Sequence, residues 1–167
     1  MILRLSQKIA KKVKCSPQRT LPLDANPYAD WSVHLFTADR TQYVLATNTA
    51  SLYSAVMFGR GTTDDSVLIG RVLNAVREVM ADDKLEFFYM TFIAPATGTV
   101  QFSKALNRSV IGSMNDMVSM AQYHLIGGEE SPHGVSFRLN EMPMSVLDYR
   151  NPREAMKSLQ NGGDAGL

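Results

Sequence analysis

The sequence is short of most features that announce chemistry. Cys15 is its only cysteine, so an intramolecular disulfide and a zinc site built on several thiolates are both excluded. A reducing cytoplasm fits that composition. No stretch approaches the roughly 20 apolar residues needed to span a bilayer, because Asp, Arg or Lys interrupts every longer hydrophobic region. Lysines also break up the segment from Met1 to Cys15, which has no apolar run of the kind a secretion signal requires. Membrane association is therefore not expected. The only histidines, His34, His124 and His133, fall in an expected strand, a helix end and a loop, with no metal-ligand spacing. Neither a metal nor a cofactor is expected. Gly59-Arg60-Gly61 lacks the lysine of a P-loop and the third glycine of a dinucleotide fingerprint, and it reads as a turn entering a helix.

What remains is the composition of an ordinary folded domain: 45% hydrophobic, 20% charged and 8% aromatic over 167 residues. The net charge of +1 hides a division. Arg4, Lys8, Lys11, Lys12, Lys14 and Arg19 precede the first acid, Asp24, and the rest of the chain has a balance of −5. Clustered cations of this kind suit either a solvated helix face or a polyanionic partner, since they neutralise phosphates and release counterions.

Met1 to Leu5 reads as a strand, and Ser6 is placed to cap a helix with Ile9, Ala10 and Val13 on its buried face and lysines opposite. Three prolines make residues 16 to 30 a loop. Trp31–Thr37, Gln42–Thr47 and Leu52–Phe58 are β-branched and aromatic runs that predict an antiparallel meander. In the first of them neither alternating face is cleanly polar, so at least part of each is covered. After Thr62, read as a cap, Leu68, Val72, Ala75, Val76 and Val79 recur at helical spacing. The run from Leu85 to Ile93 suits a helix or a strand, and helix is preferred. Thr99–Lys104 alternates as a strand, and Val110, Met114, Met117, Ala121 and Leu125 stripe a helix stopped by Gly127-Gly128. Val135, Phe137 and Leu139 predict a last strand after a loop at Ser131–Gly134, and Asn151-Pro152-Arg153-Glu154 opens a short helix. The expected fold is one α+β domain over residues 1–160. It has an antiparallel sheet of about five or six strands with helices packed mainly on one face, and a disordered tail at 161–167.

The candidate site is the run Asn107-Arg-Ser-Val-Ile-Gly-Ser-Met-Asn-Asp116. Its small and polar residues crowd the first turns of an apolar-striped helix, where free amides beside Arg108 favour an anion. The alternative is structural: Asn107 or Ser109 caps the helix and Gly112 permits close packing against a strand. Asn107, Arg108, Ser109, Ser113, Asn115 and Asp116 are the candidate binding residues, and Lys8, Lys11, Lys12 and Lys14 the candidate electrostatic contacts to nucleic acid. Ser109 and Ser113 lack both a nucleophile-elbow sequence and a neighbouring base. Cys15 follows Lys14, whose charge lowers a thiol pKa while a helix C-terminus opposes it.

The opening Met-Ile-Leu-Arg-Leu-Ser-Gln-Lys-Ile-Ala-Lys-Lys resembles a known family, as do Trp31-Ser-Val-His-Leu-Phe-Thr-Ala-Asp-Arg40 with Tyr43-Val-Leu-Ala-Thr-Asn48, and the Asn107–Asp116 segment. The family is a bacterial domain of unknown function found in small stand-alone proteins, some relatives carrying the N-terminal part fused to a plasmid-borne module linked to mobile elements. The resemblance implies a bacterial cytoplasmic protein and carries no activity with it. The residues point first to a non-enzymatic binding or regulatory module for nucleic acid or a protein partner. One alternative is an enzyme on a phosphate-containing substrate such as nucleic acid, with Asp116 or His34 moving protons. The other is a toxin–antitoxin-like interaction protein.

Overall fold

The computed structural model of the protein describes residues 1–159, so the expected tail at 161–167 lies outside the described residues. Strand β1 (Ile2–Leu5) leads into helix α1 (Gln7–Lys12), and a long loop ending in a 3-10 turn at Pro27–Ala29 delivers the chain to β2 (Asp30–Ala38). Then follow β3 (Thr41–Asn48), β4 (Ser54–Phe58), α2 (Asp65–Asp82) and α3 (Glu86–Phe88), the last continuing as a π turn over Tyr89–Ile93. Strand β5 (Gln101–Lys104), α4 (Arg108–Leu125), α5 (Pro132–Glu141) and α6 (Pro152–Ser158) complete the order. Among these residues no helix is long and apolar enough to cross a membrane.

The fold is α+β, built on a sheet of order β4-β3-β2-β1-β5. The meander is antiparallel as expected, and its first turn holds Asp39 and Arg40 at φ 46° and 65°. Positive φ at both central residues is what a two-residue hairpin of matching twist demands. The sheet is nevertheless mixed and not purely antiparallel, because β1 runs parallel to both β2 and β5. α1 and the proline loop form a crossover long enough to return the chain to the same end of the sheet, which a hairpin cannot do.

Helices cover both faces of the sheet, where one main helical face was expected. Leu3, Trp31, Val33, Val44 and Ala46 pack with Ile9 of α1 and with Leu68, Val72 and Val76 of α2. The alternate residues Phe36, Leu45 and Val56 pack with Met114, Met117 and Leu125 of α4 and with Val135 and Leu139 of α5. This is the double coverage that two apolar faces on β2 require.

The expected strand at Val135–Asn140 is a helix, and the sheet has five strands. Ser131 accepts a bond from Gly134 N–H as the cap, with Pro132 at the first helical position. Val135 and Leu139 are then buried by four-residue spacing, and Phe137 only partly. Two cap assignments also change. Thr62 does not cap α2; Asp64 does, accepting from Val67 N–H at 2.9 Å. Ser6 precedes α1, but its hydroxyl makes no cap bond and is buried without a partner.

The β4 edge is closed by side chains. Asn140 of α5 accepts from Ser54 N–H at 2.7 Å and donates to Ser54 O at 2.8 Å, and Ser136 accepts from Val56 N–H at 2.8 Å. A helix here plays the part of the missing sixth strand, leaving buried main-chain groups paired.

Candidate functional site

Lys8, Lys11 and Lys12 share one face of α1 because they stand three and four residues apart. With His34, Leu35, Phe36 and Thr37 of β2, Gln42 of β3, and Val118 and Gln122 of α4, they line a groove of about 550 Å³. Its lining contains no carboxylate. Among the described residues none of the three lysines enters an ion pair; Lys12 Nζ donates to Gln42 Oε1 at 2.8 Å. Gln122 Nε2 donates to Thr37 O at 2.8 Å. Burial, and then the charge of Lys8, hold the His34 imidazole below its ordinary pKa. At neutral pH it is an uncharged ring on the groove wall, and the positive charge comes from the lysines. Lys14 lies beyond the C-cap Val13 at φ 55° and does not line the groove.

Arg4, the first of the N-terminal cations, leaves the exposed set altogether. It is 1% exposed and locked to Asp30, with Nε on Oδ1 at 2.8 Å and Nη2 on Oδ2 at 2.7 Å. Its remaining donors reach Leu21 O, Pro22 O and Ser103 Oγ. Burial would raise the Asp30 pKa, but the bonds from Arg4, Asp24 N–H and Thr49, with the Arg4 charge, hold it below the usual carboxylate range.

The Asn107–Asp116 segment divides. Asn107 caps α4, its side chain accepting from Val110 N–H at 3.0 Å. A Cβ on Gly112 would meet nothing within 4 Å, so this glycine does not serve close packing. Ser113 is buried, whereas Arg108, Ser109, Asn115 and Asp116 are exposed. At about 100° per residue, Ile111, Asn115, Arg108 and Gln122 all fall within roughly 80° of Val118 on one stripe of α4. Asp116 and Ser109 lie roughly 160–180° away from Val118 by the same geometry. The helix thus extends the groove wall toward Asn115 and Arg108 and turns Asp116 away from the Val118 stripe.

Other candidates resolve locally. His124 pairs with Glu130 at 3.2 Å and His133 with Asp82 at 2.7 Å, and no metal-holding group of ligands occurs among the described residues. Arg71 ties the Gly59–Gly61 turn through Phe58 O, Arg60 O and Thr62 Oγ1, which occupies that turn with a protein cation. Burial, and then the charge of Asp65, raise the Cys15 pKa and oppose a thiolate. Of the groove residues from β2, β3 and α4, only His34 was singled out from the sequence; Leu35, Phe36, Thr37, Gln42, Val118 and Gln122 were not read as a site. The signal was the excess length of the Trp31 strand over the Met1 strand, which creates a space once the two are known to pair.

A family model described as a domain of unknown function, DUF6933, matches residues 2–155. No curated protein matches the chain.

Proposed function

The chain belongs to the DUF6933 family, which brings no activity with it, and we propose from the geometry that it is a non-enzymatic binding module for an anionic partner. The observation that carries this reading is the groove itself: three lysines with no ion pair among the described residues, around about 550 Å³ with no acid in its walls. Cations assembled without counter-charges repel one another, and an anion relieves that repulsion while shedding its own counterions. The volume lies within the range of ordinary ligand pockets. A partner longer than the groove next meets Asn115, Ile111 and Arg108 along α4, so Arg108 and Asn115 are the second contact. Cys15 as the only thiol suits work in a reducing cytoplasm.

The test is fluorescence anisotropy of labelled single-stranded RNA, duplex RNA, duplex DNA and polyglutamate, titrated with the protein at 50 to 200 mM salt. Three phosphate contacts predict a log–log salt slope near −2 to −3, or roughly a 20- to 40-fold loss of nucleic-acid affinity over that range. The variant Lys8→Gln/Lys11→Gln/Lys12→Gln should flatten this slope by about 2 to 3 at unchanged melting temperature. Lys14→Gln should leave most of it intact. Absence of binding to all four probes at 50 mM salt, or a slope that survives the triple substitution, overturns the reading.

A further inference from the structure

The groove touches four consecutive residues of one strand, and that fixes where on the strand it lies. His34 and Phe36 point to one face of the sheet, Leu35 and Thr37 to the other. A space that meets all four sits at the edge of β2. One edge is occupied here by β3, with Leu35 opposite Val44 and Thr37 opposite Gln42. The groove is therefore on the β1 side, where pairing ends at Leu5 and Val33 and Ser6 N–H closes on Val33 O at 3.0 Å.

Residues 34–38 of β2 continue past that point with no strand on the β1 side among the described residues. Main-chain groups alternate in direction along a strand, so those of Leu35 and Thr37 share the side of Val33 and face the groove. Thr37 O bears this out, since it takes its bond from the Gln122 side chain. The contrast with β4 is informative: there α5 and Arg71 cover Ser54, Val56 N–H and Phe58 O. On β2 a single glutamine stands in for a strand.

We propose that the groove receives an extended acidic segment of a partner protein as an added strand, laid along β2 in line with β1. The inference rests on the anionic-partner reading above and names the partner. Main-chain bonds to Leu35 and Thr37 supply the affinity, and alternate side chains the specificity. Lys12 reaches Gln42 on the α1 side of the sheet, while Phe36 and Val118 form the α4 side. An added strand thus presents every second residue to the lysines and the others to apolar surface. Acidic and apolar residues should alternate over about four positions, the stretch His34–Thr37 that lines the groove, at roughly 3.3 Å per residue. Nucleic acid satisfies the lysines but has no main chain to pair with Leu35.

The test begins with random nine-residue peptides displayed on phage and panned against the wild type and, in parallel, the triple Lys→Gln variant. Selected peptides are synthesised, also with single backbone N-methyl groups, and titrated into the 15N-labelled protein while amide exchange is followed. The expected result is alternating acidic and apolar residues selected by the wild type alone. N-methylation at the positions that face β2 should weaken binding at least tenfold and at the intervening positions little. Exchange of the Leu35 and Thr37 amides should slow at least tenfold. Equal selections from both proteins, or binding indifferent to N-methylation at every position, overturns the strand. If nucleic acids meanwhile bind through the lysines, the anionic-partner reading survives with nucleic acid in the groove. If neither class binds through them, both readings fall.

Discussion

Arg4→Met should destabilise the protein by about 3–5 kcal/mol, because it leaves Asp30 charged in a site that is 1% exposed. The guanidinium makes two bonds to the carboxylate, at 2.8 and 2.7 Å, and also serves the carbonyls of Leu21 and Pro22. Its loss strips Asp30 to two remaining donors, Asp24 N–H and Thr49 Oγ1. For a chain of this size the melting temperature should fall by roughly 6–20 °C. Urea unfolding of the wild type, Arg4→Met, Asp30→Leu and the double variant measures the coupling directly. The double variant should cost less than the sum of the singles by at least about 1.5 kcal/mol, since it removes the orphaned charge along with the pair. The pH dependence supplies a second readout. The folded pKa of Asp30 is depressed, so its contribution is present above the unfolded value near 3.9 and is lost as pH falls through the folded value. A cost below about 1 kcal/mol for Arg4→Met, or strict additivity in the cycle, would refute the claim that this pair fastens the loop to β1, β2 and β5.

His34 titrates with the same sign in a higher pH window. Its folded pKa is lowered, so the unfolded chain binds more protons below about pH 6.5 and wild-type stability falls from there toward the folded value. His34→Gln should remove that part of the slope between pH 7.5 and 5; parallel wild-type and variant curves in thermal unfolding would contradict it. Asn140→Ala should cost about 2–5 kcal/mol by orphaning Ser54 N–H and O inside the core, and it should raise the exchange rate of the Ser54 amide. An unchanged Ser54 amide would show that water replaces the carboxamide without loss.

Local signals in the sequence carried the strands of the meander, the α2 and α4 stripes and the α6 cap, because period and cap chemistry act within a few residues. Non-local pairing was not legible. Nothing in Met1–Leu5 states that it will lie parallel between β2 and β5, so the mixed sheet was missed, and with it the β2 overhang. Val135, Phe137 and Leu139 suit a strand's period as well as a helix's Val135–Leu139 pair; Ser131-Pro132 was the deciding signal and was read as a loop. Arg4 looked like the first of a basic series until Asp30, 26 residues on, was placed beside it. The lysines were selected by charge alone, and what gives them meaning is the strand edge they surround.

That edge also explains why the cations are lysines on a helix. A free strand edge invites pairing with any extended chain, including another copy of this one, and charge beside it is the common defence. Like charge deters a second copy, because adding β2 to β2 would bring two sets of groove-lining Lys8, Lys11 and Lys12 to the same edge, where their mutual repulsion is strongest at low salt. The same charges do not deter a strand that brings carboxylates. Protection from self-association and selection of an acidic partner are then one electrostatic condition, and it discriminates most at low salt. The fold had another way to close an edge and used it on β4, where Asn140 and Ser136 fill the main-chain groups and leave nothing to recruit. Guarding β2 with charge while sealing β4 with amides leaves one edge selectively open, which is the arrangement a strand-recruiting module needs.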